Sequence, residues 1–316
     1  MIRKETDKEE NMITNVDTSV TIAGVTLKNP VMTASGTFGS GKEYGEFFDL
    51  SRLGAVVTKG IAPVPWKGNP TIRVAETPSG MLNAIGLMGP GVDTFIEEDL
   101  PFLKQYDTKI IVNVCGHCEE DYLTVVEKLA DTCADMLEIN ISCPNVREGG
   151  IAFGTDPKKA EAVTAAVRKI ARQPVIVKLS PNVTDIREIA KAVESGGADA
   201  VSLINTITGM KIDVRTRRFV LANRTGGLSG PAIHPVAVRM VYEAAHAVKI
   251  PVIGMGGITN AYDALEMILA GASAVAVGSA TFRNPLAAAE TAEGIEMYLR
   301  ENEIASVRSL IGAVQE

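Results

Sequence analysis

Four segments of this sequence share one grammar, and the repetition limits the fold more than any other feature. LSRLGAVVTKG (50–60), LADTCADMLEINIS (129–142), VESGGADAVSLIN (193–205) and ILAGASAVAVGS (268–279) each pass from a helical-looking stretch through a small-residue turn into a short apolar strand. A small or Gly-rich C-cap closes the helix and a buried strand follows at once, which is the chemistry of a repeating αβ unit. Four more apolar runs fill the gaps: NPVMTASG (29–36), KIIVNV (109–114), PVIVKLS (174–180) and PVIGMGG (251–257). Eight strands with helical windows between most of them predict the α/β class and a (β/α)8 TIM barrel over residues 16–316. Residues 1–15, charged and polar, are expected to be a flexible N-terminal tail.

Helix starts support that reading. Asp156-Pro157 sets a capping carboxylate before a proline at the first helical position, and Asp185 with Glu188 has the spacing of a capping box. A doubly wound open sheet is the competing fold. It wants an early strand-to-helix G-x-G-x-x-G turn, and none follows the first strands. Two segments exceed a simple connection: 60–90, rich in Pro and Gly after strand two, and 206–231 after strand six, with Arg215, Arg217, Arg218 and Arg224. Insertions at the C-terminal ends of barrel strands are where lids and substrate loops are kept. The four arginines fit a lid, a substrate contact or an interface equally well.

Bulk properties exclude several classes. A net charge of −7 with both signs interspersed advertises no nucleic-acid surface. The start MIRKETDKEENMITN lacks the apolar core of a signal peptide, and no uninterrupted apolar run of about 18 residues occurs. Four cysteines are too few for a disulfide framework, so a cytoplasmic protein with reduced thiols and no membrane association is expected.

Polar groups collect at the strand ends. Strand one ends at Ser35, two at Lys59, three at Asn113, four at Asn140 and Cys143, five at Lys178, and six at Asn205-Thr206. Strands seven and eight end in Gly256-Gly257 and Gly278-Ser279. In a barrel all of these converge on one face. A lone Lys or Asn at a strand end is ordinarily a solvated terminus. Two lysines on apolar strands fit that explanation badly, because burying an unpaired ammonium is costly. The glycine pairs leave backbone N–H groups free to hold a phosphate at a helix start, at strands where barrels recurrently do so; glycines for turning alone are the plain alternative.

The ordered stretches TASGTFG, VTKGI, NAIGL, EINISCPN, IVKLSPN, LINT, GGLSGPA, GMGGI and AVGSA, from about residue 18 onward, resemble the class 1 dihydroorotate dehydrogenases. WKGNPTIRVAETPSGMLNAIGL is similar to the B-type catalytic subunit in particular. The resemblance implies oxidation of (S)-dihydroorotate to orotate in pyrimidine biosynthesis, with one FMN per chain. FMN would then meet Ser35, Lys59, Gly60, Asn113, Asn140, Lys178, Ile204, Gly230, Gly256, Gly257, Gly278 and Ser279, the last commonly Thr in the family. Substrate or product would meet Lys59, Asn83, Ala84, Ile85, Gly86, Leu87, Asn140, Asn205 and Thr206, with Asn145 a further contact. One departure is visible: after NAIGL the B-type pattern continues Gln-Asn-Pro-Gly, whereas this chain reads Met88-Gly89-Pro90-Gly91.

The implied reaction gives Cys143 a part. Making the double bond removes a proton from C5 and a hydride from C6, and the flavin takes the hydride, so a base is needed on the other face of the substrate. A thiol, ordinarily near pKa 8.5, needs only a modest downward shift to act near neutral pH. Lys59 and Lys178 would stabilise negative charge on the reduced flavin. Taken alone, Cys143 reads as a small buried hydrophobe. B-type chains work with an electron-transfer subunit carrying FAD and a 2Fe-2S cluster that reduces NAD+, and this chain has no cysteine set for such a cluster. A homodimer of this chain within a heterotetramer is implied; an A-type homodimer using fumarate is the alternative. The rival motif is Cys115-Gly116-His117-Cys118, the tetrapeptide of a thiol–disulfide oxidoreductase, which also lacks a fourth ligand for a metal. A barrel that only binds a phosphorylated metabolite is the non-catalytic alternative. His234 and His246 read as loop or helix-surface residues, and Trp66 as packing within its loop.

Overall fold

The computed structural model describes residues 15–142 and 151–315. Its centre is eight short parallel strands: β1 (Val31–Thr33), β2 (Ala55–Val57), β3 (Lys109–Val114), β4 (Met136–Asn140), β5 (Val175–Lys178), β6 (Ala200–Leu203), β7 (Val252–Met255) and β8 (Ala274–Val277). Each pairs with the next and β8 closes on β1, so the order round the barrel is the order along the chain. All eight lie inside the apolar runs that predict them. Their residues are buried almost throughout, without alternation, because one face meets the helices and the other fills the barrel.

Three of the helices outside the barrel begin at side-chain caps. Asp156 accepts from the N–H groups of Lys158 and Lys159 at the start of α2 (Pro157–Ile170), and Asp185 accepts from the Arg187 N–H at the start of α3 (Ile186–Ser195). Between β3 and β4, α1 (Glu119–Leu129) opens with Glu119, Glu120 and Asp121 at its positive end. The remaining long helices are α4 (His234–Ala245), α5 (Ala261–Leu269), capped by Asn260, and α6 (Ala287–Glu301). Among the described residues, no helix is long and apolar enough to cross a membrane. The predicted tail, apart from Asn15, lies outside the described residues.

Register explains how polar side chains reach the barrel interior. Asn113 pairs with Glu138, Asn140 with Lys178, and Lys178 with Ser202. Paired residues on neighbouring strands share a face, as do residues two apart on one strand. These five side chains therefore project inward together, toward the C-terminal end of β3, β4, β5 and β6.

The two long insertions are not independent loops. Val74–Thr77, Gly80–Asn83, Ile207–Met210 and Thr225–Ser229 form one four-stranded antiparallel sheet, in which Gly80–Asn83 from the first insertion pairs with Thr225–Ser229 from the second. Ala75, Leu82, Ala84 and Leu221 form a small apolar cluster of their own under it. Beyond it a hairpin, Ile212–Asp213 with Arg218–Phe219, stands in solvent with Val214 84% exposed. Arg215, Arg217, Arg218 and Arg224 are all exposed, and the Arg224 guanidinium lies 5.6 Å from the centre of the Phe219 ring.

Candidate active site

A cavity opens where the C-terminal ends of the strands meet the four-stranded sheet, with about 1210 Å³ of empty space counting the part open to solvent. Openings of this location and size are the usual small-molecule sites of barrels. Ser35, Lys59, Gly60, Asn113, Asn140, Lys178, Ile204, Gly230, Gly256, Gly257, Gly278 and Ser279 all line it. So do Asn83, Ile85, Gly86, Leu87, Asn205 and Thr206. Ala84 is not brought there. It is 1% exposed and packs in the small cluster under the sheet, because alternate residues of the Gly80–Asn83 strand and its continuation face opposite ways. Cys143 and Asn145 lie outside the described residues.

Lys178 is buried, 4% exposed, and is not alone. Its ammonium donates to Ser35 Oγ at 3.0 Å and stands 4.0 Å from a carboxylate oxygen of Glu138. Glu138, 2% exposed, accepts from Asn113 Nδ2 at 2.5 Å and from Ser202 Oγ at 2.7 Å. Sequence reading passed over Glu138. The available signal was a carboxylate inside an otherwise apolar strand, which must find donors or a cation if the strand is buried.

The amides at the floor of the cavity are linked. Asn140 Nδ2 faces Asn113 Oδ1 at 3.4 Å, and Asn140 Oδ1 accepts from the Ser142 hydroxyl at 2.9 Å. Asn205 Nδ2 donates to Ser142 Oγ at 2.8 Å. Ser142 is fully buried.

The glycine turns have the shape of a cradle for a ligand's backbone contacts. Gly257 has φ +72°, and a Cβ there would stand 2.8 Å from both the Gly230 carbonyl oxygen and His234 Cβ. Gly86, φ +76°, comes as close to Asn69, where a Cβ would lie 2.6 Å from Cγ, and this approach shapes the Asn83–Leu87 loop. His234 is buried, contrary to the surface reading. Its Nδ1 lies 2.8 Å from the Gly256 carbonyl oxygen and its Nε2 3.1 Å from Glu266, so a helix-start residue holds the β7 turn from behind. Met88 and Gly89, where the sequence departs from the B-type pattern, pack elsewhere. Gly89 pairs with Trp66, and Met88 Sδ is 3.2 Å from Arg73. Trp66 itself stacks on His117 with ring centres 4.0 Å apart.

The Cys115–Cys118 pair is arranged against thiol exchange. Cys115, first in the motif, is fully buried, and neither cysteine is in a disulfide. Cys118 is exposed, yet desolvation raises its thiol above the ordinary range and Glu120 and Asp121 oppose a thiolate there. An exchanging cysteine needs the reverse shift.

Comparison with known proteins bears on this site. The family model described as dihydroorotate dehydrogenase matches residues 18–299. The chain belongs to the dihydroorotate dehydrogenase family. A relative from Lachnoclostridium phytofermentans, named dihydroorotate dehydrogenase B (NAD(+)), catalytic subunit, is 64% identical over 95% of this chain and 100% of its own. A relative of the same name from Alkaliphilus metalliredigens is 61% identical over 96% of this chain and 100% of its own. A crystal structure of DHODH in complex with ferulenol, from Eimeria tenella, matches with a TM-score of 0.79, covering 94% of this chain and 88% of that one. At 24% identity, that last likeness is one of fold. The chain is thus a B-type catalytic subunit by family, built on a TIM barrel.

Proposed function

We propose that this chain oxidises (S)-dihydroorotate to orotate in pyrimidine biosynthesis, using one bound FMN, and passes the electrons to NAD+ through a partner subunit carrying FAD and a 2Fe-2S cluster. The observation that carries this reading is the convergence, in one cavity, of a serine, two lysines, three asparagine amides and two glycine turns from eight strand ends. That donor set fits a flavin phosphate and an anionic pyrimidine together. The turns of Gly256-Gly257 and Gly278-Ser279 would hold the phosphate by backbone N–H groups, and Ser35, Lys59, Asn113 and Lys178 the ring system. FMN, when bound, supplies the hydride acceptor on one face of the substrate.

The chain's own residues do the rest. Asn83, Asn140 and Asn205 donate to the substrate's carboxylate and carbonyl oxygens, fixing C5 and C6 in place. Lys59 and Lys178 supply positive charge where negative charge accumulates during the reaction. Cys143, one residue beyond the buried Ser142, takes the C5 proton as thiolate. Asn145 and the Asn83–Leu87 loop complete the enclosure.

The test begins with the colour of the purified chain. Bound FMN is expected, and anaerobic dihydroorotate should bleach it. Cys143→Ser should keep the flavin and bleach it at least about a hundredfold more slowly near neutral pH, the usual scale of general-base loss. Equal rates in the two proteins would remove Cys143 from the role, and an unbleached wild type would remove the reaction. Turnover with NAD+ only when the partner subunit is added, and none with fumarate, is expected of the B type; sedimentation of the purified pair should give a heterotetramer built on a homodimer of this chain.

A further inference from the structure

The hydrogen bonds beneath the cavity all run in one direction, set by Glu138 at Asn113 and by backbone N–H groups at Asn140 and Asn205. A carboxylate accepts and cannot donate. Glu138 takes the Asn113 Nδ2–H on one oxygen at 2.5 Å and the Ser202 hydroxyl on the other at 2.7 Å. The Asn113 amide therefore cannot turn over, and its Oδ1 must face the Asn140 nitrogen, 3.4 Å away. Asn140 then turns Oδ1 toward Ser142, where the backbone N–H lies at 3.2 Å and the hydroxyl at 2.9 Å. With its proton directed there, Ser142 Oγ accepts from Asn205 Nδ2 at 2.8 Å. Asn205 Oδ1 accepts the Thr206 N–H at 2.7 Å. An asparagine amide has nearly the same shape when flipped, so nothing steric in the three amides chooses this arrangement.

We propose that Glu138 is a positioning residue that fixes the Asn113 amide with Oδ1 toward Asn140, completing a chain of donors that the backbone N–H groups of Ser142 and Thr206 hold in place at Asn140 and Asn205. Each amide nitrogen uses one hydrogen within the chain and keeps a second for the cavity. The floor consequently offers N–H donors to an anionic, carbonyl-rich ligand. With Asn113 reversed, its nitrogen would face the Asn140 nitrogen, donor against donor, and push that amide out of place under the ligand. This inference rests on the substrate class proposed above.

Glu138→Gln keeps the shape of the side chain while permitting either orientation of the Asn113 amide. Electrostatics alone predicts that this change tightens an anionic ligand, since it removes the negative charge 4.0 Å from the Lys178 ammonium. Loss of polarity predicts the opposite. Orotate affinity is measured from the flavin absorbance change in FMN-loaded wild type, Glu138→Gln and Ser202→Ala. Ser202→Ala removes the other donor to Glu138 but leaves the carboxylate holding Asn113. Orotate is expected to bind Glu138→Gln about tenfold more weakly or worse, the scale of one to two hydrogen bonds, with the KM for dihydroorotate rising more than kcat falls. Ser202→Ala should stay within about twofold of wild type. Unchanged or tighter orotate binding by Glu138→Gln, or an equal loss in Ser202→Ala, overturns the proposal. Should Glu138→Gln not fold, neutron diffraction of the wild type decides. Deuterium on the Asn113 atom facing Glu138 and on the Asn140 atom facing Asn113 supports the polarity, and a bare oxygen at either place overturns it. A wild type that binds FMN but not orotate would refute the substrate reading, leaving the neutron result to judge the polarity separately.

Discussion

Replacing Lys178 by methionine should cost this protein stability, not only chemistry. The ammonium sits 4.0 Å from Glu138, with both side chains nearly inaccessible at 5% and 2% exposure. At that separation, and at the effective dielectric of about 20 that suits buried pairs, the attraction is on the order of 4 kcal/mol. Methionine matches the stem in length but takes the Lys178 cation from Glu138, which among the described residues keeps the Asn113 and Ser202 donors. Removing one member of a buried pair typically costs about 3–5 kcal/mol, because the remaining charge stays desolvated. At roughly 2 °C per kcal/mol for a chain of this size, the Tm should fall by about 6–10 °C. The double variant Lys178→Met with Glu138→Gln removes both charges and should recover about half of that loss or more, since a neutral pair of the same shape carries no such penalty. The assay is thermal and urea unfolding of all four proteins of the cycle without added flavin, so that ligand linkage does not enter. A Lys178→Met protein within about 1 kcal/mol of wild type, or a double variant no more stable than the single, would refute the reasoning that the two charges are coupled.

Further outcomes follow from other residues. Gly257→Ala puts a Cβ 2.8 Å from the Gly230 carbonyl at a positive φ, and FMN affinity measured by flavin fluorescence should drop by about tenfold or more. Cys118→Ser should leave bleaching by dihydroorotate within about twofold of wild type, as an exposed cysteine with a raised thiol has no part in the reaction. Asp185 is held at about 2, chiefly by hydrogen bonds from the Arg187 side chain and backbone. A carboxyl with a depressed folded-state pKa stabilises above its unfolded value and stops doing so as pH falls through the folded one. The Tm difference between wild type and Asp185→Ala should accordingly be full at neutral pH and shrink between about pH 4 and pH 2.

The barrel was legible because its strands are legible. Parallel strands buried on both faces must be continuous apolar runs, and VIVK, AVAV and KIIVNV can hardly be anything else. The convergence of Lys59, Asn113, Asn140 and Lys178 followed from the barrel's geometry, once each was seen at a strand end. The four-stranded sheet was not legible. Thr225–Ser229 reads TGGLS, with little strand propensity, and its partner Gly80–Asn83 lies far away in sequence, so nothing local announces the pairing. Glu138 was passed over and His234 taken for a surface residue, for the reason that makes them informative. Polar residue types are usually exposed, and only their partners, Lys178 with Asn113 and Ser202 for one and the Gly256 carbonyl with Glu266 for the other, explain why they are inside. Ala84 failed differently: a loop taken as a block of contacts is still a chain whose successive side chains face opposite ways.

The shared sheet ties the two insertions together at the cavity wall. Strand Gly80–Asn83 runs straight into the Asn83–Leu87 segment at the cavity wall, and it is zipped to the strand Thr225–Ser229 that comes back from the exposed hairpin. Two covers joined edge to edge by backbone bonds cannot be raised one at a time. Any displacement of one carries the other with it, unless the central seam at residues 81–83 and 227–229 parts.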